Sequence, residues 1–253
     1  MAVKYDREEA CKAWLTYGYF QNDQLTRLLE DFDGSAEAVY ERAMSRGSAF
    51  LRDYLPAQKV AVLMGHAERD AMHEMLLTMQ KLDMHIMHRD DVIYPDQLLN
   101  IADPPALLFW MGNPDCLSGH LLTFVGARHC SMAAEQATED ITAQLSRAGV
   151  SIVSGMANGI DQAAHRGCLM GRSPTIAVLG CGLDVPYPAG TKELKKKLLD
   201  GGGVMLSEYH PGRQQMDFQF PIRNRILSGL SRAVVMMECG IRSGSMTTVR
   251  HAL

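Results

Sequence analysis

The residues best suited to chemistry lie in one short stretch, residues 218–231, which reads Phe-Gln-Phe-Pro-Ile-Arg-Asn-Arg-Ile-Leu-Ser-Gly-Leu-Ser. Arg223, Asn224 and Arg225 stand just before an apolar helical pattern, and the spacing predicts that a helix starts at them. A helix N-terminus presents unpaired N–H groups to anions. Two guanidinium groups there predict a phosphate site, with Phe218 and Phe220 as flat apolar faces beside it. Phosphate next to a stackable ring is what a single nucleic-acid strand offers. The plain alternative is the first turn of a helix carrying solvated arginines.

A second set of such residues falls in glycine-bearing segments, each directly after an apolar run. Gly126 and Arg128 follow residues 121–125, and Ser154, Gly155, Asn158, Gly159 and Asp161 follow residues 150–153. Gly180 and Gly182 follow residues 175–179, and Arg242, Ser243, Gly244, Ser245 and Thr247 follow residues 233–237. Glycine permits close backbone approach to a ligand, small hydroxyl residues and free N–H groups make anion nests, and arginine grips phosphate with two prongs. One such loop is only a turn. Four of them, with arginines in the same row, predict a phosphate groove. The two standard nucleotide fingerprints are missing: Gly180-Cys181-Gly182 lacks the third glycine of a dinucleotide loop, and there is no P-loop lysine motif.

Groups able to move protons or attack carbonyls are few. Asp161 and His165 are four residues apart on one helical pattern, but an aspartate at a helix start is expected to cap or orient the glycine loop. Cys181 has no basic partner near in sequence to activate it. Glu208 and Glu238 end apolar runs, where a carboxylate could hold a ribose or a water. Lys195, Lys196 and Lys197 read as a solvated helix face. His66, His73, His85 and His88 are too dispersed for a metal site. No metal, no cofactor and no catalysis are expected.

The elements that must position these groups change character near residue 85. Before it, apolar residues recur at three- and four-residue spacing over residues 8–17, 22–31 and 35–43, with Asn22 and Ser35 as expected N-caps, and over a longer pattern from 56 to 81. Residues 1–84 therefore read as a small helical domain. From there to residue 253, continuous apolar runs alternate with helical patterns. Runs without polar alternation suit strands buried on both faces, and five strand–helix units in succession predict an α/β fold, doubly wound around a mostly parallel sheet. Ligands in such a sheet bind at the carboxyl ends of the strands, where all the glycine-bearing loops lie.

Composition sets outer limits. The chain has 253 residues, 47% apolar and 21% charged, as in a soluble globular protein. A net charge of −4 excludes a globally basic nucleic-acid binder and confines any such binding to a local patch. The six cysteines form no C-x-x-C pair, so free thiols in a reducing cytoplasm are expected. No apolar leader and no run of membrane-spanning length are present, and no membrane association is expected.

From residue 94 to the end the sequence resembles the DNA-processing protein A (DprA, or Smf) family. The matching segments are Tyr94-Pro95-x-x-Leu98, Asp103-Pro104-Pro105, Leu108-Phe109, Gly112-Asn113 and Val125-Gly126-Ala127-Arg128. They continue with the run from Ser154 through Gly155, Asn158, Gly159, Asp161 and Ala164-His165, and with Ala177-Val178-Leu179-Gly180-x-Gly182-Leu183-Asp184-x-x-Tyr187-Pro188. Ser207-Glu208, Phe220-Pro221-x-Arg223-Asn224-Arg225-Ile226 and Arg242-Ser243-Gly244-Ser245 complete the series. The resemblance implies an extended Rossmann-like domain, here preceded by helices similar to the family's SAM-like domain. It implies a recombination mediator that binds single-stranded DNA and loads RecA recombinase in natural transformation. By the same resemblance Arg128 would hold a backbone phosphate, and Arg223, Asn224 and Arg225 would line the pocket with Phe220 near a base. Ser243, Gly244 and Ser245 would complete it. Family members run on beyond the point matching Leu253, through segments that contribute to dimerisation and RecA contact, so the chain reads as the family pattern truncated at its C-terminal end, its homodimer in question. The competing reading is a nucleotide-processing enzyme on a related fold, a nucleoside-monophosphate phosphoribohydrolase. That family's Pro-Gly-Gly-x-Gly-Thr loop has its counterpart at residues 240–247, which lack the Pro-Gly-Gly and the glutamate that comes after it.

Overall fold

The computed structural model describes residues 7–67, 69–240 and 244–252. Five helices come first: α1 (Arg7–Leu15), α2 (Asn22–Glu30), α3 (Ala36–Arg46), α4 (Ala57–Gly65) and α5 (Arg69–Leu82). Ser35 caps α3 as expected, its hydroxyl accepting from the Ala38 N–H at 3.1 Å. Asn22 does not cap α2. Gln21 does, in a reciprocal box with Gln24, while the Asn22 side chain reaches across to Asp103, Glu208 and the Ala106 N–H. The long pattern from 56 to 81 is two helices. Gly65, a poor helix former, ends α4, and Trp14 Nε1 donates to the Leu63 carbonyl in its last turn at 2.9 Å.

A seven-stranded sheet comes next: β1 (Met84–His88), β2 (Leu107–Gly112), β3 (His120–Val125), β4 (Val150–Ser154), β5 (Thr175–Val178), β6 (Val204–Ser207) and β7 (Val234–Met236). The helices between and after the later strands are α6 (Met132–Arg147), α7 (Ile160–Leu169), α8 (Lys192–Asp200), α9 (Gln219–Leu230) and α10 (Ser245–Ala252). The spatial order is β1-β2-β6-β5-β4-β3-β7. From β6 to β7 every pairing is parallel, while β1 and β2 are antiparallel additions beyond β6. The fold is thus mixed α/β around a mostly parallel sheet. β4, β5 and β6 are buried on both faces, as their unbroken apolar runs require.

Alternate strand residues feed different cores. Phe109, Ala177 and Met205 face the N-terminal helices and α8 in a single cluster that includes Trp14, Leu28 and Leu63. Leu108, Ile176, Val178 and Leu206 face the opposite side with Ile226, Leu227 and Leu230 of α9. Successive strands step from β3 through β6 in one direction, and β7 lies on the other side of β3. The chain therefore reverses its winding at the carboxyl ends of β3 and β7, the place where open α/β sheets bind ligands.

Candidate nucleic-acid cleft

A cleft of about 410 Å³ opens at that reversal. Its lining comes from the β3–α6 loop (Gly126, Arg128, His129), the start of α7 (Asp161), α9 (Phe220, Pro221, Arg223, Asn224) and the α10 end (Gly244, Ser245). The loops after the first, second and last of the five βα strands are thus brought to one site, as is the Arg223 segment.

The Arg223 segment differs from its sequence expectation. α9 starts at Gln219, so Arg223, Asn224 and Arg225 sit inside the helix and not at its free N–H groups. Pro221 carries the physical reason. It is tolerated only in a first turn, where its missing N–H needs no partner, and this fixes the helix start ahead of the arginines. Both arginines are buried, Arg223 at 4% and Arg225 at 6% exposure. Arg223 Nη1 donates to the carbonyls of Gly155, at 2.9 Å, and Val178. The absent side chain of Gly155 gives the guanidinium its room, because a Cβ there would strike it. Arg223 thus backs the cleft and ties α9 to two strand ends. Arg225 turns away from the cleft altogether. It grips Glu208 with both Nη atoms, at 2.6 and 2.5 Å, and Asp103 with Nε at 2.9 Å.

The remaining expected site residues divide in the same way. Arg128 is exposed at the rim, its guanidinium 4.9 Å over the Phe220 ring, and it takes part in no ion pair among the described residues. Asn224 lines the cleft and donates to Thr247 Oγ1 at 2.6 Å and to the Gly244 carbonyl at 3.3 Å, fastening α10 to α9. Ser245 donates to the Gly126 carbonyl at 2.7 Å. Ser154 is buried, donating to the Phe124 carbonyl at 2.6 Å. Asn158 is exposed and accepts from Gln162 at 2.9 Å. Gly159, at φ +76°, passes close against the β3–α6 loop, and Ile160 N–H donates to the Ala127 carbonyl. Arg242 and Ser243 lie outside the described residues. Phe218 does not stand beside Phe220 in this cleft. One helix turn cannot aim both rings the same way at a spacing of two, and Phe218 faces a separate cleft.

The candidate acids and bases are engaged structurally. Asp161 accepts from the Ala157 N–H at 3.3 Å, orienting the glycine loop. Burial pushes its carboxyl up to about 6, against the pull of the nearby Arg223. His165 is buried with Nδ1 2.8 Å from Thr175 Oγ1, and burial lowers it to about 3, so it is neutral. Glu208 is held by Arg225, and Glu238 accepts from the Ser131 N–H and hydroxyl at the start of α6. Burial raises the Cys181 thiol. Lys195 is not part of a solvated face. It is buried, with Nζ 3.2 Å from the Val185 carbonyl, while Lys196 and Lys197 are exposed. No group of metal-ligating residues occurs among the described residues. Thr247 stands behind the cleft, its hydroxyl accepting from Asn224, and His129, which the sequence did not single out, lies on the rim.

A family model described as DNA recombination-mediator protein A matches residues 85–253. Among curated relatives, DNA processing protein DprA of Streptococcus pneumoniae is 44% identical over 163 residues, 64% of this chain and 57% of that protein. Protein Smf of Escherichia coli is 37% identical over 185 residues, 73% of this chain and 50% of that protein. The chain thus spans about half the length of the curated relatives it matches. Among solved structures, the X-ray structure of DprA from Streptococcus pneumoniae superposes with a TM-score of 0.75 at 34% identity, covering 94% of this chain and 81% of that one. DNA processing protein A from Helicobacter pylori, whose structure was reported for its single-stranded DNA binding mode, gives a TM-score of 0.60 at 28% identity over 66% of this chain and 75% of that one.

Proposed function

Because this chain belongs to the DNA recombination-mediator protein A family, we propose that it binds single-stranded DNA in the cleft at the carboxyl ends of β3 and β7 and performs no chemistry on it. The observation that carries this reading is the Arg128–Phe220 pair. An exposed guanidinium, in no ion pair among the described residues, lies 4.9 Å from an aromatic ring at the winding reversal of the sheet. A backbone phosphate meets the first and a base stacks on the second. Arg223, Asn224, Gly244 and Ser245 form the wall behind them. Among the described residues, two arginines and one carboxylate line the cleft, so a chain of net charge −4 still offers a strand a cationic site. The H. pylori protein's reported binding mode supports the same ligand. The wider role proposed with it is loading of RecA on the bound strand, in the cytoplasm, with a homodimer as the family's assembly. No helix among the described residues is long and apolar enough to cross a membrane.

The enzyme reading has less behind it. Asp161, His165, Glu208 and Glu238 are all committed to structural partners. Release of free base from a nucleoside monophosphate would establish it and overturn the binding-only reading.

Fluorescence anisotropy of a labelled oligo-dT over a salt series tests the proposal. The wild-type protein is expected to bind the single strand more tightly than an equal duplex. Arg128→Ala is expected to weaken binding and reduce the slope of log K against log salt by about 0.7, the value of one lost phosphate contact on a single strand. An unchanged slope removes Arg128 from the phosphate site.

A further inference from the structure

A second cleft, of about 620 Å³, lies between the N-terminal helices and the sheet, on the other side of the first turn of α9. This volume is in the range of small-molecule sites. Tyr19 and Phe20 form one wall, Phe218 and Ile222 the other. Phe218 is 54% exposed and Ile222 44%, and four residues apart on a helix they share a face.

Tyr19 is held unusually firmly for a partly exposed ring. Its hydroxyl lies 2.8 Å from His210 Nε2. His210 Nδ1 is 2.7 Å from the Pro211 carbonyl, which can only accept, so Nδ1 carries the proton and Nε2 accepts from Tyr19. Lys59 donates to the Tyr19 carbonyl. The Arg213 guanidinium lies 4.9 Å from the ring centroid, the same arrangement and distance as Arg128 over Phe220 in the first cleft. A ring and a guanidinium plane fixed before any ligand arrives keep the ordering cost of stacking low.

The charges on the wall indicate which part of a strand fits. Asp23, Asp103 and Glu208 stand among Lys59 and Arg213, and Arg225 behind the wall already pairs with Asp103 and Glu208. This near-balanced set repels a phosphate more than the first cleft does and suits a neutral ring with its own donors and acceptors. The two clefts share one divider, residues 218–222, with Phe220 on one side and Phe218 on the other. We propose that the second cleft is a stacking site for a further base of the same single strand, which crosses the first turn of α9 between Phe220 and Phe218. The N-terminal helices thereby form part of the DNA path. This inference rests on the reading of the first cleft as a single-strand site.

The test compares an oligo-dT of about 4 nucleotides with one of about 16, the span of single-strand site sizes, on the wild-type protein and on Phe218→Ala, Arg213→Ala and Phe220→Ala. Phe218 is exposed, so its truncation leaves the fold intact, and a circular-dichroism melt verifies this for each variant. Phe218→Ala is expected to weaken the long strand between about 5-fold and about 150-fold and to leave the short strand unchanged. Arg213→Ala should show the same pattern, while Phe220→Ala weakens both lengths. Wild-type affinity of Phe218→Ala and Arg213→Ala for the long strand, with Phe220→Ala still defective, overturns the second site and leaves the first standing. The cleft is then open to another occupant, such as an apolar peptide. Failure of the wild-type protein to bind either length overturns both.

Discussion

Asp161 and Arg223 form the most heavily buried charge arrangement at the cleft, and they set its pH response. An aspartate at its ordinary 3.8 in the unfolded chain and about 6 in the folded protein binds a proton more readily when folded. Between those values its contribution to stability falls as pH rises, and at neutral pH the buried carboxylate is a net cost that Arg223 only partly offsets. Acidification from about pH 7 to about pH 5 neutralises Asp161, leaves the Arg223 charge uncompensated and makes the cleft more positive. Single-strand affinity is expected to rise a few-fold over that interval. Asp161→Asn should remove this component from the anisotropy pH profile. A variant with the wild-type profile would show that Asp161 does not titrate in this range. His165 takes no part, being neutral throughout.

At the scale of elements, α9 is the part whose role the sequence conveys least well. Its arginines are legible as functional by type, because nothing in a linear pattern distinguishes a guanidinium facing solvent from one facing strand-end carbonyls. Pro221 is the readable sign that the helix begins earlier. The missing side chain at Gly155 is visible in sequence only as a turn residue, although it makes the space that Arg223 fills. By contrast, Thr175–Val178 and Val204–Ser207 are legible as buried strands, since burial on both faces demands an unbroken apolar run. β1 and β2 are not: β2 pairs with β6, far away in sequence, and the residues of the two strands mix His, Met and Trp. The placement of Arg225 has an experimental consequence. Arg225→Ala leaves Glu208 without its partner and is expected to lower unfolding free energy by about 3–5 kcal/mol with no change in the salt slope of DNA binding. Chemical denaturation and anisotropy on the same samples would check both, and an altered slope would return Arg225 to the phosphate path.

At the scale of the molecule, a common core joins the N-terminal helices to the sheet. Trp14, fully buried, belongs to the same cluster as Phe109 and Met205. Trp14→Ala is expected to cost about 3–5 kcal/mol, and calorimetry should show one transition shifted as a whole. Two transitions, with only the earlier one moved, would mean that residues 1–84 and 85–253 unfold independently. The same core has a consequence in time. Phe109 pairs with Ser207 across the β2–β6 ladder, so the sheet face that the helices cover is completed by one of the last strands to be made. At ordinary elongation rates roughly ten seconds separate the synthesis of α5 from that of β6. The helices leave the ribosome first yet find their resting place late, and for that interval their apolar faces need either one another or a chaperone.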